Sequence, residues 1–389
     1  MRVGEGQVNK MRVALVIGTS SGGVGNHVRS LCEGLAGRGH RVAVIGPPET
    51  EEHFGFTATG ARFAAVDIGA LPRPGADVVA AARLSGLLAG ADVVHAHGIR
   101  AGAMCALAGA APLVATVHNA PPELSGPRAW VFPTLERVVA RRADIVLGVS
   151  SDLVDRMRAR GARRVVRAVV TAPPMPAAGT ARAQVRARLG VSGDRPLLLV
   201  VARLAPQKGL KVLLDAAPMI AAGVGAPAER ATRVPATAAR DAGAVPPLIA
   251  IAGDGPMREE LSRRIDAEDL PVRPLGHRSD IPDLLAAADL FVLPSLWEGP
   301  SLVIMEALRA GLPVVATRVG GIPDLYEDVA LLVPPGDAGA LAEGVTRVLG
   351  DPGLAAKMRA DAEEAAERLP TVEDTLRQVD GIYASLTGR

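Results

Sequence analysis

Short apolar runs alternate with helical patterns along almost the whole chain, and this alternation restricts the possible folds more than any other property. In the first half the runs are Val13–Ile17, Val42–Ile45, Asp92–Val94, Leu113–Val117 and Ile145–Val149. In the second they are Leu197–Val201, Leu248–Ala252, Val272–Leu275, Leu290–Leu293 and Val314–Ala316. A strand that is apolar on both faces must be covered on both, and helices between successive strands supply the cover, which is the arrangement of a parallel sheet. The two series are divided by Thr171 to Thr180, where prolines 173, 174 and 176 bar both helix and ladder pairing. They predict an α/β protein with two Rossmann-like domains and a ligand site where the carboxyl ends of both sheets face each other. With 389 residues, each half has enough chain for its own core.

Several classes are set aside early. Met1 to Lys10 is polar and has no apolar centre, so it does not read as a signal peptide; Met11-Arg12-Val13 repeats Met1-Arg2-Val3, which makes Met11 a candidate start. The longest uncharged stretch, Ala101 to Val117, is broken by Gly102, Gly109 and Pro112 and reads as helix, turn and strand, not as a membrane span. Cys32 and Cys105 have neither zinc-site nor redox-motif spacing, so reduced thiols in a cytoplasmic protein are expected. Between Arg137 and Arg167 nine arginines face three aspartates, a local excess of six positive charges. Two readings stand side by side: a solvated basic surface, or peripheral contact with an anionic membrane leaflet, worth about 1 kcal/mol per basic residue. Nucleic acid is disfavoured, because no aromatic residues interleave with the arginines.

Most of the candidate site residues follow strand ends. Leu293-Pro294-Ser295-Leu296-Trp297-Glu298-Gly299-Pro300-Ser301 leads from an apolar strand through a loop with one glutamate into a helix that carries a second, Glu306. A helix start offers unpaired N–H groups and partial positive charge to a phosphate, while flanking carboxylates accept hydrogen bonds from hydroxyls. As a hydrolase pair the two acids are badly spaced. Eight helical positions rise about 12 Å, against about 5 Å for a retaining and 6.5–9.5 Å for an inverting glycosidase. Arg203 and Lys208 share the loop after Leu197–Val201 and are suited to neutralising a diphosphate, or are simply two solvated cations.

The first strand runs into Gly18-Thr19-Ser20-Ser21-Gly22-Gly23-Val24-Gly25-Asn26-His27 and a helix, where glycines let the backbone approach a pyrophosphate. The third glycine of G-x-G-x-x-G would fall on Val28, and no acid closes the second strand, so nicotinamide binding is disfavoured. His95, His97 and His118 lie at carboxyl ends of strands. His118 is read as a site residue. His95 and His97 are read as turn or packing residues, expected on alternate faces of a persisting strand with His97 nearer to solvent. Gly253-Asp254-Gly255 reads as a structural turn near a helix cap, and Gly276 with His277 as backbone within reach of a nucleobase edge. Ala221 to Pro247 reads as a surface insertion, longer than a connection at that point requires.

Taken in order, these motifs resemble the retaining glycosyltransferases of family 4, of two-domain GT-B fold, over essentially the whole chain from Met11. The nearest in character are bacterial phosphatidylinositol mannosyltransferases and inositol-phosphate glycosyltransferases. The resemblance implies residues 11–175 as an acceptor domain to which the final helix, 372–389, returns, 176–371 as a nucleotide-sugar donor domain with insertion 221–247, and 1–10 as a disordered extension. It gives Arg203 and Lys208 to the donor diphosphate, Glu306 to the ribose, Glu298 to the transferred sugar, and Ser301 with Leu302 to the phosphates. Gly22 and Gly23 close over the pyrophosphate, and His118 lies near the anomeric centre. It also implies a UDP- or GDP-linked hexosyl donor, a hydroxyl acceptor such as a lipid or cell-envelope precursor, and retention with the departing phosphate taking the acceptor's proton. No cofactor or metal is expected; the sequence has no D-x-D pair.

Three segments depart from the family pattern. Pro300 stands where a bulky apolar residue often follows Glu-Gly, Thr171-Ala172-Pro173-Pro174 replaces an Asn-Gly turn, and 221–247 is extra. Two other functions remain: a nucleotide-sugar-binding regulator without turnover, and a sugar-nucleotide epimerase. Acceptor choice is expected to rest on the loops Pro47 to Thr59 and Ala120 to Pro127.

Overall fold

The computed structural model describes residues 10–20, 22–120, 129–223 and 245–388. The chain divides into two units, Met1–Pro173 with Pro370–Arg389, and Pro174–Leu369.

The first unit contains β1 (Arg12–Ile17), α1 (Gly23–Gly37), β2 (Arg41–Gly46), α2 (Pro48–Phe54), β3 (Arg62–Ala65) and α3 (Pro74–Leu88). It continues with β4 (Val93–His97), α4 (Ile99–Leu107), β5 (Leu113–Val117), α5 (Val131–Arg142), β6 (Ile145–Gly148), α6 (Ser151–Ala159) and β7 (Val165–Arg167). The strands form one sheet in the order β3-β2-β1-β4-β5-β6-β7, with every pairing parallel. Val13 through Ile17 are buried because β1 lies mid-sheet under helices on both sides. On α1 the residues Val28, Leu31, Cys32 and Leu35 repeat at three- and four-residue steps and form its buried stripe.

The second unit contains α7 (Arg182–Arg188), β8 (Leu197–Val201), α8 (Leu210–Gly223), β9 (Leu248–Ala252), α9 (Arg258–Ala267), β10 (Val272–Gly276) and α10 (Ile281–Ala287). It continues with β11 (Leu290–Leu293), α11 (Leu302–Arg309), β12 (Val314–Thr317), α12 (Ile322–Tyr326), β13 (Leu331–Val333), α13 (Ala338–Gly350) and α14 (Pro352–Arg368). The sheet order is β10-β9-β8-β11-β12-β13, again all parallel. Leu198, Val200, Ile249, Val292 and Val315 of the sheet pack with Leu213 and Leu214 of α8 and Leu341 and Val345 of α13.

The last helix, α15 (Val372–Thr387), belongs to the first unit. Pro370 precedes it, and Thr371 and Asp374 close its first turn with a capping box. It packs on α1 so tightly that a Cβ on Gly34 would lie 2.3 Å from Leu376 Cδ1. Arg38, at the end of α1, forms ion pairs with Asp380 and Glu373.

Two parallel sheets with helices between their strands are the predicted fold class, and the structure shows both. Several element boundaries and three strands differ from the reading of the sequence. β3, β7 and β13 were not expected; all three are edge strands with half-buried residues, so they lack a continuous apolar run. The strand read as Asp92–Val94 begins at Val93 and continues to His97. The expected loop Pro47 to Thr59 is α2 followed by a single 3-10 turn, Phe56–Thr59. Pro48 sits at the start of α2, where its missing N–H costs nothing, and Gly55 ends the helix at φ +60°. Of the segment Ala221 to Pro247, the first three residues complete α8 and 224–244 lie outside the described residues, as do 121–127 of Ala120 to Pro127.

Candidate active site

In the second unit four segments meet at the carboxyl edge of the sheet. β8 ends at Val201, and the following loop carries Arg203, then a 3-10 turn over Pro206–Lys208. Gly209 stops that turn at φ +64°, where a Cβ would fall 1.9 Å from the carbonyl oxygen of Pro294. Only glycine permits this contact, which brings the Lys208 loop against the loop after β11. Leu296 N–H donates to the Gln207 carbonyl at 2.8 Å and holds the two together.

This packing places the Lys208 ammonium on the Glu298 carboxylate in an ion pair. Ser295, fully buried, donates from Oγ to the same Glu298 Oε1 at 2.9 Å. Glu298 itself is 8% exposed, so its charge is held by a cation and a hydroxyl with little help from water. Behind it, Thr317 donates to the Ser295 carbonyl. Gly320, at φ +50°, lies so close that a Cβ would stand 1.8 Å from the Glu298 carbonyl oxygen, and Gly321 N–H donates to that oxygen at 3.1 Å.

Ser301 is the N-cap of α11, without a side-chain capping bond, and Leu302 is its first residue. The Tyr326 hydroxyl, buried, donates to the Ser301 carbonyl at 2.9 Å and fixes the helix entry. The first-turn amides of α11 are therefore anchored in place at the same edge. Glu306 lies just beyond the first turn, and burial pushes its carboxyl above the usual range, with Arg309 pulling it partly back. Arg203 is exposed and, among the described residues, has no salt bridge.

The Gly253-Asp254-Gly255 turn packs on the Arg203 loop through backbone: Leu204 N–H donates to the Asp254 carbonyl at 2.9 Å, and a Cβ on Gly253 would lie 1.9 Å from the Ala202 carbonyl oxygen. The helix after it, α9, begins at Arg258 with Met257 as cap, later than expected. Gly276 ends β10 at φ +68° and its carbonyl accepts from Gly253 N–H at 2.8 Å; His277 beside it is exposed.

The first unit assembles a different set. Four imidazoles, His27, His95, His97 and His118, gather at the carboxyl edge of β4 and β5 near the start of α1. His97 Nδ1 lies 3.1 Å from His118 Nε2, and His27 meets both rings edge to face. Residues two apart in a strand share a face, so His95 and His97 do not alternate: their rings stack at 4.3 Å. Nor is His97 near solvent, at 2% exposure. His95 is held at both nitrogens, by the Tyr383 hydroxyl and by Thr116 Oγ1, each at 2.7 Å. Burial lowers the pKa of His27 to about 4 and of His95 to about 3, and takes His97 and His118 well below the ordinary value. At neutral pH the cluster is uncharged.

Gly22 caps α1, its carbonyl accepting from Gly25 N–H at 3.0 Å, and a Cβ on Gly22 would meet nothing within 4 Å. Gly23 is the first residue of the helix. Gly25 is required by packing, since a Cβ there would lie 2.1 Å from the Phe54 ring. The arginine-rich stretch is less basic than its count suggests. Arg156 and Arg160 both pair with Glu136, buried and one residue outside the counted window, and Arg158 pairs with Asp155. Arg137, Arg141, Arg142, Arg163 and Arg164 are exposed.

The structure thus brings Lys208, Glu298 and the start of α11 together in one unit, and His118 with the Gly22 turn in the other. Sequence reasoning did not single out Ser295, Thr317, Gly320, Tyr326 or Tyr383. A Gly-Gly pair separated by two residues from the end of β12 was the one available signal for Gly320; the hydroxyl residues carry none. Among the described residues no helix is long and apolar enough to cross a membrane.

Residues 195–351 match the family model described as "Glycosyl transferases group 1", and residues 22–174 match that of the "Glycosyl transferase 4-like domain". The alpha-D-kanosaminyltransferase of Streptomyces kanamyceticus is 31% identical, over 92% of this chain and 98% of its own. A D-inositol 3-phosphate glycosyltransferase of Xylanimonas cellulosilytica is 32% identical over 77% of this chain and 73% of its own. Among solved structures, Anabaena HepE in complex with UDP-glucose superposes with a TM-score of 0.75 at 21% identity, covering 97% of this chain and all of that one. With both halves matched by glycosyltransferase models and a relative of full length, the protein is an enzyme that belongs to the family 4 glycosyltransferases of GT-B fold.

Proposed function

We propose that the protein is a retaining, metal-independent hexosyltransferase that moves a sugar from a UDP- or GDP-linked donor to a hydroxyl acceptor. The observation that carries this reading is the Lys208–Glu298–Ser295 network beside the start of α11. A cation, a buried carboxylate and a helix N-terminus in one place suit a ligand that is anionic at one end and hydroxylated at the other.

In this reading Arg203 and Lys208 neutralise the charge that grows on the diphosphate as its bond to the sugar breaks. Lys208 enters the reaction already oriented by Glu298, so little reorganisation is needed when the charge develops. Glu298 accepts hydrogen bonds from the transferred sugar, Glu306 from the ribose, and the amides at Ser301 and Leu302 bind phosphate. Gly276 and His277 are assigned the base, Gly22 and Gly23 the pyrophosphate. His118, kept neutral by burial, orients the reacting sugar through a hydrogen bond and adds no positive charge. The departing phosphate takes the acceptor's proton on the same face of the sugar, which gives retention without a protein nucleophile.

For the donor, the UDP-glucose complex of the structural neighbour makes UDP-sugars the first to test. For the acceptor, two relatives carry names that specify cyclitols, D-inositol 3-phosphate and 2-deoxystreptamine, so hydroxylated six-membered carbocycles join lipid and cell-envelope precursors as candidates. The exposed arginines 137, 141, 142, 163 and 164 support peripheral contact with an anionic membrane on its cytoplasmic side.

Incubation with UDP- and GDP-sugars against an acceptor panel tests the proposal. Acceptor-dependent release of the nucleotide diphosphate is expected, lost in Glu298→Ala and Lys208→Ala, with the donor's anomeric configuration kept in the product by NMR. Donor binding without turnover on every acceptor would support a binding protein instead, acceptor-free conversion of the donor an epimerase, and an inverted product would overturn retention.

A further inference from the structure

We propose that His27, His97 and His118 form a binding site for a first-row transition-metal ion of the zinc type, an inhibitory occupant of the first unit and no part of the transfer reaction. Among the described residues these three are the group of potential metal ligands whose donor atoms all lie within 4.8 Å of one another. They come from three separate elements: the second turn of α1, the last residue of β4 and the residue just past β5. The closest pair, His97 Nδ1 and His118 Nε2, is 3.1 Å apart, near the roughly 3.3 Å that separates two nitrogens of a tetrahedral zinc centre with Zn–N of about 2.0–2.1 Å. Within the 4.8 Å spread of the donor atoms, His27 has to draw in to complete the set.

His97 Nε2, the ring nitrogen that does not face His118, is buried and has no hydrogen-bond partner among the described residues; it carries the ring hydrogen when Nδ1 takes the metal. His95 takes no part, since Tyr383 and Thr116 occupy both its nitrogens. It stacks on His97 and supports that ring from behind.

The donor set selects the ion. Three imidazoles without a carboxylate suit zinc, copper, nickel or cobalt and not magnesium or calcium, which require oxygen ligands. Three protein ligands also leave a fourth position open to water or a small molecule. His27 and His118 each retain 7% exposure. When it binds, the hydrogen shared between His97 and His118 moves to an outer ring nitrogen and no net charge is added by the protein.

The test uses the full chain, stripped with a chelator and dialysed. Titration with Co2+ is expected to give one equivalent of binding, with the strong visible absorption of a four-coordinate nitrogen site, displaced by Zn2+ and reversed by chelator. His27→Gln and His97→Gln are expected to abolish the band, and His53→Gln, on an exposed histidine, to leave it unchanged. Long-range 1H–15N imidazole spectra of the unmutated protein give a readout that does not depend on the variants' folding. Zn2+ is expected to move the resonances of His27, His97 and His118 while those of His40, His53 and His277 stay in place. Absence of saturable binding, only the weak absorption of six-coordinate cobalt, or binding that survives both His27→Gln and His97→Gln would overturn the proposal. Zinc is also expected to inhibit sugar transfer by taking the His118 lone pair; that consequence rests on the role given to His118 above, whereas the binding measurements do not.

Discussion

The phenolic oxygen of Tyr383 lies 2.7 Å from Nδ1 of His95, so the last helix of the chain fixes an imidazole at the functional edge of the first sheet. Tyr383→Phe removes that bond and leaves a buried ring nitrogen without a partner. The expected loss is about 1–3 kcal/mol. Urea denaturation checks it, and an unchanged midpoint would show that the bond contributes nothing.

Lys208 and Glu298 are expected to act as a unit. Either Lys208→Ala or Glu298→Ala should lower kcat/KM by about 10²- to 10³-fold, the usual cost of one group aimed at developing charge. Because each holds the other in place, the double variant should be far better than the product of the two single losses. A double-mutant cycle on initial rates decides this, and strict multiplicativity would show that the two residues work independently.

Two glycines separate architecture from ligand approach. At Gly22 the backbone is extended at φ −159° and a Cβ meets nothing, so Gly22→Ala should change stability by less than about 0.5 kcal/mol. Any loss of donor affinity in that variant then reports crowding of the ligand. At Gly320, φ +50° and the 1.8 Å approach to the Glu298 carbonyl make alanine both strained and obstructed. Gly320→Ala should cost more than about 1 kcal/mol and disturb the Lys208–Glu298 pair. Thermal unfolding of the two variants side by side distinguishes the cases.

Glu306 gives a pH dependence of defined sign. Its folded pKa lies above the unfolded value of 4.5, so the folded state binds more protons in the window from 4.5 up to that raised pKa. Stability linked to this residue is therefore complete below pH 4.5, falls as pH rises through the window and stays low above it. Glu306→Gln should be more stable than the parent at pH 7, indistinguishable from it near pH 4, and weaker in donor binding at pH 7. Chemical denaturation at the two pH values, with calorimetric titration of the donor, measures the trade. A variant equally stable at pH 7 would show that burial of this carboxyl carries no cost.

Most strands visible in the sequence are buried on both faces; edge strand β10, read as Val272–Leu275, is an exception. β1, β5, β8 and β11 read as unbroken apolar runs because helices cover both sides of mid-sheet strands. β3, β7 and β13 lie at sheet edges, and sequences such as Arg62-Phe63-Ala64-Ala65 and Val165-Val166-Arg167 have no periodicity strong enough to announce them. The site follows the same logic. Arg203, Lys208, Glu298 and His118 stood out because a charged or titratable residue just past an apolar strand is conspicuous. Ser295 and Tyr383 were silent: a serine in a loop and a tyrosine on an amphipathic helix have ordinary explanations, and their partners lie three residues away in one case and 288 in the other. Arg156 and Arg160 are matched by a carboxylate outside the counted stretch, Glu136, which packing of α5 on α6 brings to them.

Because α15 belongs with the first unit, residues 174–369 are spelled out between a sheet and the helix that finishes it. At a translation rate of about 5–20 residues per second, that interval lasts roughly 10–40 s. At its end the second unit has all its strands and helices in hand, whereas the groove on α1 that receives Leu376 is bare and His95 waits for its hydroxyl. The half encoded later thus has its full set of elements before the half encoded first.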